Sequence, residues 1–178
     1  MLISELKERV LEVVDYDDSW RIRFKDECEL LKNVFGQNAL NIEHIGSTAV
    51  SGLAAKPVID ILVEVESLEK LENCHAMLES HGYKIKGENG IEGRRYFQKG
   101  GNQRSHHVHA FKQGDEHLVR HRAFRDYLIE HPKVAEEYGD LKKRAAEKCN
   151  NDIYHYMELK SDYIQKHERI ALAWYKMK

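Results

Sequence analysis

A polar turn of three residues, Gly46-Ser47-Thr48, separates an apolar segment from a β-branched run at positions 58–65. Glycine lets the backbone pass close to an anionic ligand, and the serine beside it offers a hydroxyl and a backbone N–H. A turn of this kind between two strands suits the phosphate of a ligand. The same residues could instead cap a helix, and the turn alone leaves both interpretations open.

Asp60 is embedded in the β-branched run, between Ile59 and Ile61. A carboxylate is rarely buried without a charged partner or a metal ion. Lys56 could be that partner, in which case the pair is structural. In the other interpretation Asp60 holds a metal ion and is the central catalytic residue.

Two histidines, His107 and His109, lie two positions apart in a predicted strand, so their side chains project from the same face. With Asp60 on a neighbouring strand they would form a metal site of two imidazoles and one carboxylate. Nitrogen ligands favour manganese, iron or zinc, whereas magnesium prefers oxygen. We therefore expect a divalent cofactor, Mg²⁺, Mn²⁺ or Zn²⁺. Hydrogen bonds to polar neighbours at a sheet edge explain the histidines equally well.

Several basic residues could meet a triphosphate, because lysine and arginine both bind phosphate and arginine can donate two parallel hydrogen bonds. They are Lys56, Arg94, Arg95, Arg125, Lys142 and Lys160. The predicted phosphate-binding set is Gly46, Ser47, Thr48, Lys56, Arg95 and Arg125. Arg125 could equally form an ion pair with Asp126. His117 and His121 have the helical spacing of metal ligands, but the arginines beside them favour a solvated helix face.

Four separated motifs together resemble the GrpB family. They are His44-Ile45-Gly46-Ser47-Thr48-Ala49-Val50, Lys56-Pro57-Val58-Ile59-Asp60-Ile61, His107-Val108-His109 and Phe124-Arg125-Asp126-Tyr127-Leu128. The similarity runs from about Val13 to about Ala173, with the motifs in the expected order. It implies a nucleotidyltransferase-like fold, a cytoplasmic bacterial protein, and similarity to a segment fused behind dephospho-coenzyme A kinase in some bacteria. His44, Asp126 and Lys160 are predicted as accessory site residues.

The chain departs from the nucleotidyltransferase pattern at one position. Such enzymes pair a Gly-Ser turn with two carboxylates, two residues apart on the next strand, that hold divalent ions against the nucleotide phosphates. Here the second position is Leu62. Glu64 does not replace it, because four strand residues at about 3.3 Å each displace it by roughly 13 Å, whereas paired metal ions sit about 3.5 to 4 Å apart. The chain therefore binds one ion differently or lacks this chemistry.

The elements that position these residues follow from hydrophobic periodicity and turn residues. Strands are predicted near 42–45, 58–65 and 83–86, with a glycine-turn hairpin at 94–112. Helices are predicted at 4–12, 19–35, 67–81, 115–130, 132–148 and 152–175. Strands and helices do not alternate regularly, so we predict an α+β fold with a short mixed sheet flanked by helices. We predict that residues 1–178 form one domain, with a sheet core at about 13–112 and a C-terminal helical layer at about 115–175.

Composition limits the class of protein. The 178 residues carry 28 basic and 30 acidic side chains, a net charge of −2, so no global positive field indicates nucleic-acid binding. Three separated cysteines indicate neither a disulfide framework nor a cysteine metal site. The sequence has no apolar run near 18 residues and no signal peptide, so we expect a cytoplasmic protein without a membrane partner.

The leading hypothesis is a nucleotidyltransferase-like enzyme that moves a nucleoside monophosphate from a nucleoside triphosphate to a small-molecule hydroxyl. In that mechanism the turn holds phosphates while Asp60, with His107 or His109, holds the ion. The second hypothesis, favoured by Leu62, is a module that binds a nucleotide or a partner without turnover. A third is a single-metal phosphohydrolase built on the histidines.

Overall fold

The computed structural model describes residues 11–178. The helices are α1 (Ser19–Phe35), α2 (Leu68–Leu71), α3 (His75–Ser80), α4 (Glu116–Glu130), α5 (Pro132–Lys148) and α6 (Ile153–Lys176). The strands are β1 (Ala39–Ile45), β2 (Ile59–Val65), β3 (Tyr83–Ile85), β4 (Arg95–Lys99) and β5 (His106–Lys112). The helix expected at 4–12 falls almost entirely outside the described residues, and positions 11 and 12 are not helical.

The five strands form one mixed sheet in the order β1-β2-β5-β4-β3. Strands β2 and β5 are parallel, and the other three pairings are antiparallel. In this register Ile45, Asp60 and His107 lie side by side on three adjacent strands. The central parallel pair therefore brings together the carboxylate and the imidazoles that are far apart in the sequence.

The alternation of side chains along β2 divides the sheet into two chemically different faces. Its odd-numbered residues, from Ile59 to Val65, belong to the main hydrophobic core together with Trp20 and Leu31 of α1. Asp60, on the other face, hydrogen-bonds a histidine of β5, and Leu62 packs against Phe111 and Leu118. Function can therefore reside on the second face while the first stabilises the fold.

Helix α1 is held on the sheet by burial and by one ionic cluster. Glu27 accepts hydrogen bonds of 2.7 Å from both the Tyr83 hydroxyl and Lys99 Nζ, and His106 Nε2 lies 3.6 Å from its other oxygen. Burial raises the pKa of the Glu27 carboxyl, but these donors outweigh that effect and hold it below its usual value. The cluster fixes α1 across β3, β4 and β5.

The C-terminal helices α4, α5 and α6 form the layer on the second face. Arg122 of α4 anchors that layer, because its guanidinium pairs with Glu43 of β1 and Glu64 of β2, each at 2.7 Å. Tyr127 and Tyr138 pack in a second apolar cluster with Ala171 of α6. The layer therefore has its own core and leaves room for a polar site between helices and sheet.

The predicted α+β class, mixed sheet and C-terminal helices are confirmed. The predicted helix at 67–81 is interrupted by a 3₁₀ turn, Glu72–Cys74. Within residues 11–178, no helix combines the length and apolarity that crossing a bilayer requires.

Candidate functional site

Gly46 and Asp60 are in direct contact where β1 ends. A Cβ at residue 46 would lie 2.8 Å from Asp60 Oδ2, and Gly46 has a φ of +74°. Only glycine meets both conditions without strain. The residues that follow, Ser47–Ala49, form a single 3₁₀ turn and do not begin an α-helix. The glycine thus serves to admit the carboxylate.

The Asp60 carboxylate faces both predicted histidines. Its Oδ1 lies 3.1 Å from His109 Nε2 and 3.5 Å from His107 Nδ1. The Asp60 side chain is 30% exposed and the imidazoles are less exposed. Burial raises the pKa of Asp60, but hydrogen bonds from the two imidazoles outweigh it, and the net pKa lies below the usual value. Asp60 is therefore an anion that orients two rings.

Arg94 fixes the protonation pattern of His109. Its Nη1 lies 3.4 Å from His109 Nδ1, and because a guanidinium only donates, Nδ1 must accept. The proton of the neutral ring then sits on Nε2, facing Asp60. His121 extends the group, with its ring centroid 5.4 Å from that of His109. Burial lowers the pKa of His121 to about 2, so its ring is neutral. The sequence favoured a solvated helix face at this residue, but the structure buries the imidazole.

A pocket of about 180 Å³, here called the lysine pocket, opens beside Asp60. Three lysines line it: Lys56 from the loop before β2, Lys142 from α5 and Lys160 from α6. Gly46, Ser47, Thr48, His107, Tyr138 and Tyr156 also contribute to its wall. The pocket therefore combines three cationic side chains with one carboxylate.

Lys142 is the most unusual of the three lysines. It is 2% exposed, and its Nζ has no hydrogen-bond partner among residues 11–178. Burial, and then the charges of Lys160 and Lys56, lower its pKa well below the usual value, while Asp60 opposes the shift. Its Nζ lies over the ring of Tyr138, 4.5 Å from the ring centroid. An ammonium in this position is costly unless an anion joins it.

A second pocket, of about 480 Å³, adjoins the first and is here called the arginine pocket. Lys56 and His107 line both pockets. The remaining polar residues of its wall are Lys86, Asn89, Arg94, Tyr96, Gln98, Arg104 and His109. Because Asp60 lines the first pocket and His109 the second, their hydrogen bond joins the two spaces.

Not all predicted site residues reach these pockets. Arg95 belongs to the Ala110 side of the sheet, where its Nη1 bonds the Arg94 carbonyl oxygen at 2.9 Å and lies 4.0 Å from Glu88. Arg125 pairs with Asp126 at 2.8 Å and with Glu43 at 3.2 Å. Neither the predicted phosphate-binding arginines nor the predicted accessory residue Asp126 lines either pocket, and all three are held in ion pairs.

His44 and Thr48 form a hydrogen bond at the Gly46-Ser47-Thr48 turn. His44 Nε2 lies 2.9 Å from Thr48 Oγ1, and the His44 ring stacks on Phe24 at 4.8 Å. Burial lowers the pKa of His44 to about 4, so the ring is neutral. The Thr48 hydroxyl is thus engaged by the protein, although Thr48 borders the lysine pocket.

No other residue of β2 provides the second carboxylate that is missing at position 62. Leu62 is fully buried against Phe111 and Leu118, and Glu64 is held by Arg122 and Asn41. Among residues 11–178, no group of three or more His, Cys, Asp or Glu side chains has an arrangement that could hold a metal ion. Asp60, His107 and His109 therefore bond one another without fitting a metal, and the divalent cofactor stays a prediction.

Sequence reasoning missed Lys86 and Arg104, and treated Tyr138 and Tyr156 only as core or rim aromatics. A signal for the tyrosines was present. Tyr138 and Lys142 on α5, and Tyr156 and Lys160 on α6, share the same four-residue spacing, which stacks neighbouring side chains on a helix. Two such pairs on consecutive helices indicate paired lysines facing a common space.

The chain is similar to known proteins in sequence and in fold. A family model described as GrpB protein matches residues 10–169. The chain belongs to the GrpB family. The crystal structure of conserved protein GrpB from Enterococcus faecalis is similar with a TM-score of 0.89 and 44% identity, covering 92% of this chain and 99% of that one. The resemblance seen in the four motifs is therefore confirmed.

Relatives with longer chains also match. UPF0157 protein YqkA of Bacillus subtilis is 46% identical over 169 residues, which are 95% of this chain and 49% of YqkA. The chain thus spans about half the length of that relative. Dephospho-CoA kinase of Mycobacterium tuberculosis is 43% identical over 74 residues, 40% of this chain and 18% of the kinase, as the motifs implied. Cid1 poly(U) polymerase is a distant match, with a TM-score of 0.48 and 16% identity over 74% of this chain and 42% of that one.

Proposed function

We propose that the protein binds a nucleoside triphosphate with its phosphate chain in the lysine pocket and transfers the nucleoside monophosphate to a small-molecule hydroxyl. The observation that carries the proposal is the buried amino group of Lys142, which has no hydrogen-bond partner within residues 11–178. A phosphate chain supplies acceptor oxygens for Lys142 and negative charge among the three clustered lysines. A neutral ligand would leave the repulsion among these lysines in place.

The proposed transfer uses the acid–base group beside the pocket. The acceptor oxygen forms a bond to the α-phosphorus, the bond from that phosphorus to the bridging oxygen breaks, and pyrophosphate leaves with the electron pair. The hydroxyl proton passes to the acid–base group of Asp60 and His107, both of which line the lysine pocket. The Asp60 carboxylate, 3.5 Å from His107 Nδ1, stabilises the imidazolium that forms. We place this reaction in the bacterial cytoplasm.

A second function, binding of the nucleotide without turnover, is favoured by one observation. Leu62 is fully buried among apolar side chains, so position 62 supplies no carboxylate that could hold a divalent ion against the nucleotide phosphates. A protein that kept the lysines but lost the second carboxylate would retain affinity and lose transfer. This candidate shares the binding site of the first and differs only in chemistry.

Calorimetric titration with ATP, GTP, CTP and UTP, with and without Mg²⁺, tests binding, and pyrophosphate release in the presence of hydroxyl acceptors tests transfer. We expect triphosphates to bind more tightly than monophosphates, and pyrophosphate release to be abolished in Asp60→Asn while binding is retained. Binding without pyrophosphate release from any acceptor would favour the module. Failure of every triphosphate to bind would reject both functions.

A further inference from the structure

The arginine pocket carries a concentration of positive charge of its own, beside the triphosphate site. Four cationic side chains, Lys56, Lys86, Arg94 and Arg104, line it, and none of its described lining residues is an aspartate or glutamate. Several like charges that line one concave space add up to a positive local potential. The pocket therefore attracts a second anion in a chain whose net charge is −2.

The two arginines of this pocket differ from Arg122 and Arg125 of α4. Arg122 and Arg125 each pair with carboxylates at 3.2 Å or less. Arg94 instead donates to the carbonyl oxygens of Glu88 and Asn89 and to His109, and Arg104 donates through Nε to the Gly101 carbonyl oxygen. Carbonyl oxygens hold the guanidinium groups in place without neutralising them.

We propose that the arginine pocket binds the acceptor of the transfer reaction, and that this acceptor carries an anionic group, a phosphate or a carboxylate, beside the hydroxyl that reacts. This assignment of the acceptor site rests on the proposed function. Phosphate and carboxylate both present pairs of oxygens that a guanidinium bonds in parallel. Gln98, which is buried beneath the same pocket, offers an amide to the neutral hydroxyls of such a molecule.

The position of the pocket suits an acceptor. His107 lines both pockets, and the hydrogen bond of 3.1 Å between Asp60 and His109 runs from one to the other. Arg104, Lys86 and both imidazoles line this one pocket, so a small molecule whose anionic group bonds either cation lies beside the imidazoles. There its hydroxyl would meet the α-phosphorus of a triphosphate held by the lysines.

Calorimetric titration of the purified full chain, without nucleotide, tests the site. The probes are ribose 5-phosphate for the phosphate source, glycerate for the carboxylate source, and ribose as the neutral control. We expect at least one anionic probe to bind and ribose not to bind, and we expect Arg104→Gln and Lys86→Gln each to weaken that binding about tenfold or more. Arg144→Gln, a change at an exposed arginine of α5, should leave it unchanged.

The outcomes separate this proposal from the proposed function. If Lys142→Met abolishes probe binding while Arg104→Gln does not, the probe occupies the lysine pocket and the acceptor site is overturned. The same conclusion follows if a saturating non-hydrolysable triphosphate excludes the probe completely, or if neither anionic probe binds. If the probe binds through Arg104 but no triphosphate binds, the anion site stands and the transfer reaction is rejected.

Discussion

The Asp60 carboxylate fills the space that a side chain at residue 46 would need, so Gly46 and Asp60 are a matched pair at the end of β1. The clash with a Cβ at this glycine involves Oδ2, Cβ and Cγ of Asp60, at 2.8, 3.1 and 3.3 Å. Because Asp60 is also the acceptor for two imidazoles, any change at Gly46 is transmitted to the acid–base group.

We expect Gly46→Ala to lower stability and also to weaken triphosphate binding at least tenfold. The positive φ alone costs about 1–3 kcal/mol in a non-glycine residue, and the contact with Asp60 adds to it. Gly52→Ala is the matched control, because Gly52 has a φ of +83° but a Cβ added there would meet no atom within 4 Å. Thermal unfolding and calorimetric titration with ATP measure both effects. Equal losses of binding in the two variants would contradict a specific contact between residues 46 and 60.

Lys142→Met should raise the free energy of unfolding and so stabilise the protein. The same change should weaken triphosphate binding. Methionine keeps the length of the side chain and removes a buried polar group whose desolvation costs about 1–3 kcal/mol. Lys143→Met is the control, since Lys143 lies on the same helix, is 43% exposed and pairs with Asp15 at the surface. Chemical denaturation and titration with ATP make the comparison. A Lys142→Met protein that is less stable and binds normally would show the lysine to be purely structural.

Triphosphate binding should be accompanied by proton uptake at Lys142. In the free protein, burial and the neighbouring lysines lower the pKa of Lys142 well below its usual value, so it holds its proton less firmly than an exposed lysine does. A bound phosphate favours the charged form of Lys142, so the bound state holds more protons than the free state. Triphosphate affinity therefore falls as pH rises. We expect this fall above about pH 7.5, where the phosphate, with a second pKa of about 6, is already fully ionised. Titrations in buffers of different ionisation enthalpy measure the uptake. Lys142→Met should abolish it, and uptake of the same size in that variant would assign it to another group.

Mn²⁺ or Zn²⁺ without nucleotide should not stabilise the protein through Asp60, because the described part of the chain holds no three-residue ligand group. Thermal unfolding with each ion is compared among wild type, Asp60→Asn and His109→Gln. We expect the ion-dependent shift, whatever its size, to be the same in all three proteins. A stabilisation found in wild type and lost in both variants would establish the metal site that the spacing of His107 and His109 suggested.

The sequence by itself determined the local features of this protein. Apolar periodicity and turn residues predicted helices at 19–35 and 132–148, which coincide with α1 and α5, since capping and φ restrictions act over a few residues. The alternation in β5 correctly put His107 and His109 on one face, because side chains alternate along any strand. The sequence also showed directly that Asp60 is a lone carboxylate and that Leu62 stands where a second one was expected. Together these two residues identified the candidate site and its missing acid.

Only the tertiary structure decided which cations meet Asp60. The sequence offered Arg95 and Arg125, but strand parity directs Arg95 to the Ala110 side and Glu43 holds Arg125. The four-residue spacing pairs each of Lys142 and Lys160 with a tyrosine, but both lysines reach Asp60 only because α5 and α6 fold back over the sheet. The charge of a pocket depends on such distant contacts, because burial and neighbouring charges act through space and not along the chain.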